Sequence, residues 1–151
     1  DGSMNDYRVE KLEVPVTLFL ADGVVHEGIL FLSPFSPSHS GAQRMVEMFR
    51  ETDVFFPFKD KKGRFALVNK SSITHVRYPV QDEETDFGDR NRVRLTFYGG
   101  ELLEGEITIA MPAGKSRLQD YVNSTPGFFC LYSHDAHYIV NGDLIREISP
   151  A

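Results

Sequence analysis

Residues 16–32 (VTLFLADGVVHEGILFL) return seventy-seven positions later as residues 93–109 (VRLTFYGGELLEGEITI). Val16/Val93, Leu18/Leu95, Gly23/Gly100, Glu27/Glu104 and Gly28/Gly105 coincide without a gap. Two further blocks follow in the same order. Residues 43–58 match 116–131, sharing Arg44/Arg117, Thr52/Thr125, Phe55/Phe128 and Phe56/Phe129. Residues 65–76 match 137–148, keeping Val68/Val140, Asn69/Asn141 and Ile73/Ile145. Three blocks in one order mean a tandem duplication of one small unit. The 151 residues therefore read as two units of about seventy residues each, near the lower limit for a self-sufficient core. Two such units are expected to share an interface.

Each unit carries the same succession of local signals. Val14, Val16, Leu18 and Leu20 alternate with Pro15, Thr17, Phe19 and Ala21, the period of two that marks a strand. Asp22-Gly23, and Gly99-Gly100 in the second copy, supply a two-residue hairpin in which glycine accepts positive φ. The return strands run through 24–33 and 101–110, with Gly28 and Gly105 inside them. A glycine there marks a sharp bend, a bulge or a close backbone approach, and a small barrel needs such a bend. The period then changes to helical at Met45, Met48 and Phe49, and at Leu118, Tyr121 and Val122. Ser116 and Gln119 fit a capping box. A second hairpin follows (54–59 with 65–69; 128–132 with 138–141). A tight turn at Lys70-Ser71-Ser72 or Gly142-Asp143 then leads to a last strand (73–78; 144–148).

The expected organisation is a first small barrel over 5–80, an acidic linker over 81–92 and a second barrel over 93–149. Each barrel has five strands, with a short helix after the second. The linker holds Asp82, Glu83, Glu84, Asp86 and Asp89, as a solvated segment would. The loop 33–41 is extra in the first copy and is expected to be exposed and mobile. No apolar run approaches the roughly twenty residues that span a bilayer. No charged-then-apolar leader is visible, and a cytoplasmic location is the default expectation. Cys130 is the single cysteine, which excludes an intramolecular disulfide and a multi-cysteine zinc site.

The formal charge of −6 is unevenly spread. Residues 4–80 carry ten Lys/Arg against nine Asp/Glu, and 93–151 carry four against seven. Phosphate backbones are held by clustered Lys and Arg, and only Lys59, Lys61, Lys62 and Arg64 form such a cluster. These four, with Lys70, are the candidate nucleic-acid contacts.

Where the copies differ, the shared fold is held fixed. Phe19, Ile29 and Phe31 of the first copy align with Thr96, Glu106 and Thr108 of the second. One outer face is therefore apolar where its counterpart is polar. An exposed apolar patch marks a contact surface, so these three residues are the candidate interface, covered by the second copy, the linker or another chain.

The order strand, Gly-turn, long bent strand, hairpin, short turn, last strand resembles the SH3-like small barrels, and among them the Sm-like proteins. The endings VNKSSITHV (68–76) and VNGDLIREI (140–148) look like the strand–turn–strand close of that class. The pattern Arg, helix, Phe-Phe, Val-Asn, Ile is similar to a bacterial Sm-like domain of unknown function. The resemblance implies ring assembly and RNA binding. Asp120-Tyr121-Val122-Asn123 gives a superficial version of the Sm-like RNA-pocket run, but on a predicted helix. The basic-glycine pair of that pocket is absent, since Lys70 precedes Ser71 and Asn141 precedes Gly142. Asn69 and Asn141 lie near where Sm-like pockets sit. Holding the adjacent turn through side-chain bonds to backbone is their plainer role.

Other polar coincidences favour structural roles. His134, Asp135 and His137 could ligate a transition metal, but they sit at a hairpin tip that copy one fills with lysines. His26 is read as a core-facing, partly buried histidine. Glu27 and Glu104 recur beside the bending glycines, and Arg44 and Arg117 at helix starts. No nucleophile elbow or phosphate loop is present. The expectation is a non-enzymatic interaction or assembly module with no metal or cofactor, partnered by protein or by its own copies. RNA binding is the alternative. Gly23, Gly28, Asn69, Gly100, Gly105 and Asn141 are its structural positions.

Overall fold

The computed structural model describes residues 10–80, 88–110, 117–125 and 127–151. Ten strands form one antiparallel, mainly β sheet. The first half contributes β1 (Leu12–Leu20), β2 (Val25–Leu32), helix α1 (Met45–Arg50), β3 (Phe55–Asp60), β4 (Phe65–Asn69) and β5 (Ile73–Tyr78). The second contributes β6 (Asp89–Phe97), β7 (Leu102–Ile109), helix α2 (Arg117–Ser124), β8 (Phe128–Tyr132), β9 (His137–Asn141) and β10 (Ile145–Pro150). A 3-10 turn precedes each last strand, at Lys70–Ser72 and Gly142–Leu144.

The strand order is β10-β6-β7-β8-β9-β5-β1-β2-β3-β4. Both halves keep one internal order, the fifth strand beside the first, then second, third and fourth. The expected closure of each half on itself is not found. β5 pairs instead with β9, aligning His75 with Val140, Val76 with Ile139, Arg77 with Tyr138 and Tyr78 with His137. The sheet is therefore open, ending at β4 and β10.

The glycines act in two ways. Gly23 and Gly100 have φ of 89° and 90° at matching hairpin turns, where a side chain would be strained. Gly28 and Gly105 lie where the second strand of each half turns onto the third. A Cβ on Gly28 would meet the Lys59 carbonyl and the Phe58 ring, and one on Gly105 the Leu131 side chain and Tyr132 carbonyl. Close approach explains them both.

Each half has an apolar cluster, but the two are not equivalent. The first gathers Val16, Leu18, Leu30, Phe56, Phe58, Ile73 and Val76 with all of the buried face of α1. It also takes in Phe128, Cys130, Tyr132 and Ile139 from the second half. The second gathers Val93, Leu95, Phe97, Ile107, Ile109, Phe129, Leu131 and Val140, all from its own strands.

Three local expectations need correction. Asp89 to Arg92 form the start of β6 rather than linker, pairing with residues of β7 from Ile109 to Glu106; the acidic residues 82–86 lie outside the described residues. His26 is exposed, not core-facing: the β1–β2 hairpin projects past the cluster, and the ring only tilts against Phe58 at 6.3 Å. The extra loop is mostly exposed, as expected, but it is tied down, because Ser36, Ser38 and His39 all hydrogen-bond the Glu47 carboxylate at 2.6–2.9 Å. Ser116 lies outside the described residues.

Candidate functional site: the junction and the open ends of the sheet

The β5–β9 junction shows what a contact between two copies of this unit looks like. Val76 and Ile139, opposite each other, are fully buried. Asn141 accepts from the Asp143 amide (3.1 Å), fixing the 3-10 turn. Its Nδ2 donates across the junction to the Ile73 carbonyl at 3.0 Å. Arg50 Nε donates to the Phe128 carbonyl at 3.0 Å, and the Phe49 ring packs on Phe128 at 5.0 Å. Thus the hairpin β8–β9 closes the side of the first half, beside α1. Arg77 faces Asp135 at 3.8 Å on the rim.

Phe19 joins the same region from the other face. Its ring stacks on His75 at 4.2 Å, and His75 stacks on Phe97 of the second half at 5.2 Å. Burial pushes the His75 imidazole down to about 4, so it is neutral at pH 7. The other two candidate interface residues lie apart from it. Phe31 stacks on Phe65 at 5.9 Å, and Ile29 borders an open cleft.

That cleft, about 620 Å³, lies between the β3–β4 tip and the β8–β9 tip, bordered by Glu27, Lys59, Lys61, Arg77 and Asp135. The basic residues around it are largely engaged. Lys61 pairs with Glu27 at 2.7 Å and Arg64 with Asp60 at 3.2 Å. Lys59 lies over the Phe65 ring, and Lys62 is exposed. Lys70 is turned inward, 7 % exposed. Its ammonium donates to the Met48 and Glu51 carbonyls at 2.9 and 3.0 Å, at the end of α1 where carbonyls lack their full set of helix partners; the Met48 carbonyl also accepts the Glu51 amide at 3.3 Å. Burial lowers its pKa, against the opposing charges of Glu51 and Asp53.

The remaining polar candidates are separated. His134 is exposed, whereas His137 is buried against Tyr132 and Tyr78. No group of three or more His, Cys, Asp or Glu among the described residues is placed to hold a metal ion. Glu104 is held down by Arg94 at 2.6 Å, with Arg92 beside it. Cys130 is buried. Asn69 repeats the turn-holding bond, its Oδ1 accepting from the Ser71 amide at 2.9 Å. No helix among the described residues is long and apolar enough to cross a membrane.

The two ends of the sheet are of different character. At one end, Phe55, Pro57, Phe65 and Leu67 share the outward face of the β3–β4 hairpin. Phe65 and Leu67 are about 70 % exposed (68 % and 71 %) and Phe55 half exposed. At the other end, β10 borders a hollow of about 510 Å³ lined by Leu118 and Val122 of α2 and by Ile145 and Ile148. Divergence between the aligned copies pointed to Phe19, Ile29 and Phe31; the apolar hairpin face was missed. Its signal was present, since Phe55 and Leu67 align with Phe128 and Ile139, but which copy of the pair would be covered was not in the pattern. No protein-family model matches the chain, and neither a curated protein nor a solved structure does.

Proposed function

We propose that the protein is a non-enzymatic interaction and assembly module made of two copies of a small Sm-like β unit, and that it works through the two ends of its sheet. The observation that carries this reading is the exposed apolar face of the β3–β4 hairpin on a sheet edge that no further strand among the described residues pairs. An unpaired edge strand offers a row of backbone donors and acceptors to another chain, and exposed apolar side chains beside it supply the burial. The shared internal strand order of the halves supports the Sm-like reading of each unit.

Recovered natively from its own cells, the protein is expected in a particle heavier than one 17.1 kDa chain. A particle of single-chain mass overturns the reading. A second reading, RNA binding, draws on the Lys59–Arg64 tip at the cleft. Glu27 and Asp60 already pair two of its cations there, so retention of single-stranded RNA on a filter at low salt is the outcome that would favour it.

A further inference from the structure

Resting on the module reading above, we infer that the partner is a second copy of this chain, joined β4 to β4 about a two-fold axis at Leu67. The two edges of the sheet are not equally protected. Proteins guard an edge strand against further pairing with charged side chains, bulges and proline. β10 has all three: Arg146 and Glu147 exposed within it, an irregular register between Ile145 and Glu147, and Pro150 at its end. β4 reads Phe-Ala-Leu-Val-Asn, without charge or proline, and pairs with β3 in unbroken register. Its Phe65, Ala66 and Leu67 are exposed. An apolar edge with none of the guarding devices is built to be covered.

The hydrogen-bond pattern fixes what that edge offers. In the β3–β4 hairpin the Asp60 amide donates to the Arg64 carbonyl and the Lys70 amide to the Val54 carbonyl, both at 2.9 Å. Bonding alternates along an antiparallel strand, so the backbones of Arg64, Ala66, Val68 and Lys70 face β3. Those of Phe65, Leu67 and Asn69 face the open side. Pro57, which has no amide to give, lies opposite Leu67, where the β3 ladder needs none. The outward set is symmetric about Leu67. When two β4 strands pair antiparallel, their Leu67 residues exchange both bonds, and each Asn69 amide meets the Phe65 carbonyl of the other copy. The charges have the same symmetry. Lys61, Lys62 and Arg64 stand at the tip of the hairpin, and Glu51 and Asp53 at its foot. The two-fold axis lays each basic tip along the acidic foot of the other copy. Lys70 does not oppose this, because its ammonium is turned inward onto the end of α1. The edge is therefore complementary to itself, which selects a second copy over a foreign strand. One surface serves both copies, so the contact is isologous and closes at two chains. A β4 paired in this way is not open to a ring.

Sedimentation of the purified protein over about 1–100 µM, a range that captures ordinary weak-to-moderate contacts, tests the partner. Mass rising from one chain to two, and stopping there, is expected. A single-chain mass at the top of the range overturns the second-copy partner, while a heavy native particle from cells would still leave the module reading standing. Growth beyond two chains overturns the two-fold contact. Leu67→Pro removes an outward amide and spares the bonds to β3, and Leu67→Lys guards the edge with a charge. Each is expected to weaken pairing on the order of a hundredfold, as loss of a central contact does. Pairing undiminished in both variants overturns the β4 ladder. Register is read with a short bifunctional thiol reagent, the native Cys130 being buried. Leu67→Cys chains should be joined to one another across the axis. Arg64→Cys chains should not, since their thiols lie about 20 Å apart at ~3.4 Å per residue. An associated sample in which Leu67→Cys stays unlinked, or Arg64→Cys links as readily, overturns the register.

Discussion

At the residue scale, repetition in the sequence told which glycines and asparagines matter, and the geometry tells why. Gly23/Gly100 and Gly28/Gly105 recur at matching sites, yet the first pair is required by positive φ and the second by the neighbouring strand. Local pattern carries the turn; it does not carry a neighbour thirty residues away. His75 was legible only as a β-strand residue, because its environment comes from Phe19 on one side and Phe97 of the other half on the other. Its titration is a test of that stack. Folded, the ring protonates only near pH 4, whereas an unfolded histidine does so near 6.5. Between those values the unfolded chain binds the extra proton, so stability falls as pH drops from about 6.5 to about 4 and the loss is complete below. From pH 7 to 4.5 this one group accounts for about 2–3 kcal/mol. His75→Phe keeps the ring contacts and should lose that much less over the same interval in urea midpoints. Equal losses in the variant and the parent would refute the buried neutral histidine.

At the element scale, strands and helices were legible because their signals are local, and most bounds fell within a residue or two. How the helices are fastened was not. Helix α1 has six residues, too few to stand alone, and its two ends are held by groups from elsewhere. Burial would raise the Glu47 carboxyl, but bonds from the Arg44 amide and from Ser36, His39 and Ser38 outweigh it and hold the group at about 2. At the other end the Lys70 ammonium takes the Met48 and Glu51 carbonyls. From sequence, Lys70 was one more cation beside a basic tip; only the fold shows the helix end that consumes it. The second copy has Gly142 here, so α2 lacks the strut and borders the hollow instead. Lys70→Met retains the stem but takes the ammonium from the Glu51 carbonyl and leaves the Met48 carbonyl with only the Glu51 amide, and a cost of about 1–3 kcal/mol is expected. Chemical denaturation measures it, and an unchanged midpoint would show that the strut contributes nothing.

At the scale of the whole molecule, the duplication made two equal closed units the natural expectation, and the pairing of β5 with β9 breaks that symmetry. Nothing in either strand's own pattern distinguishes closing on its own unit from joining the other, because both bury the same faces. The difference appears only in exposure: β5 and β9 are mostly buried, while their counterparts β10 and β4 are mostly exposed or half-exposed. Identical ancestry with opposite burial yields a direct dynamic contrast. Exchange of a backbone amide in a sheet requires its ladder to open, and opening is cheapest at an unpaired edge. In dilute protein the amides of β5 and β9 should therefore exchange near the rate set by global unfolding. Those of β4 and β10 should exchange orders of magnitude faster despite near-identical placement in their repeats. Slow exchange at β4 and β10 in dilute protein would mean that each half closes on itself in solution, and the ten-stranded open sheet would have to be abandoned.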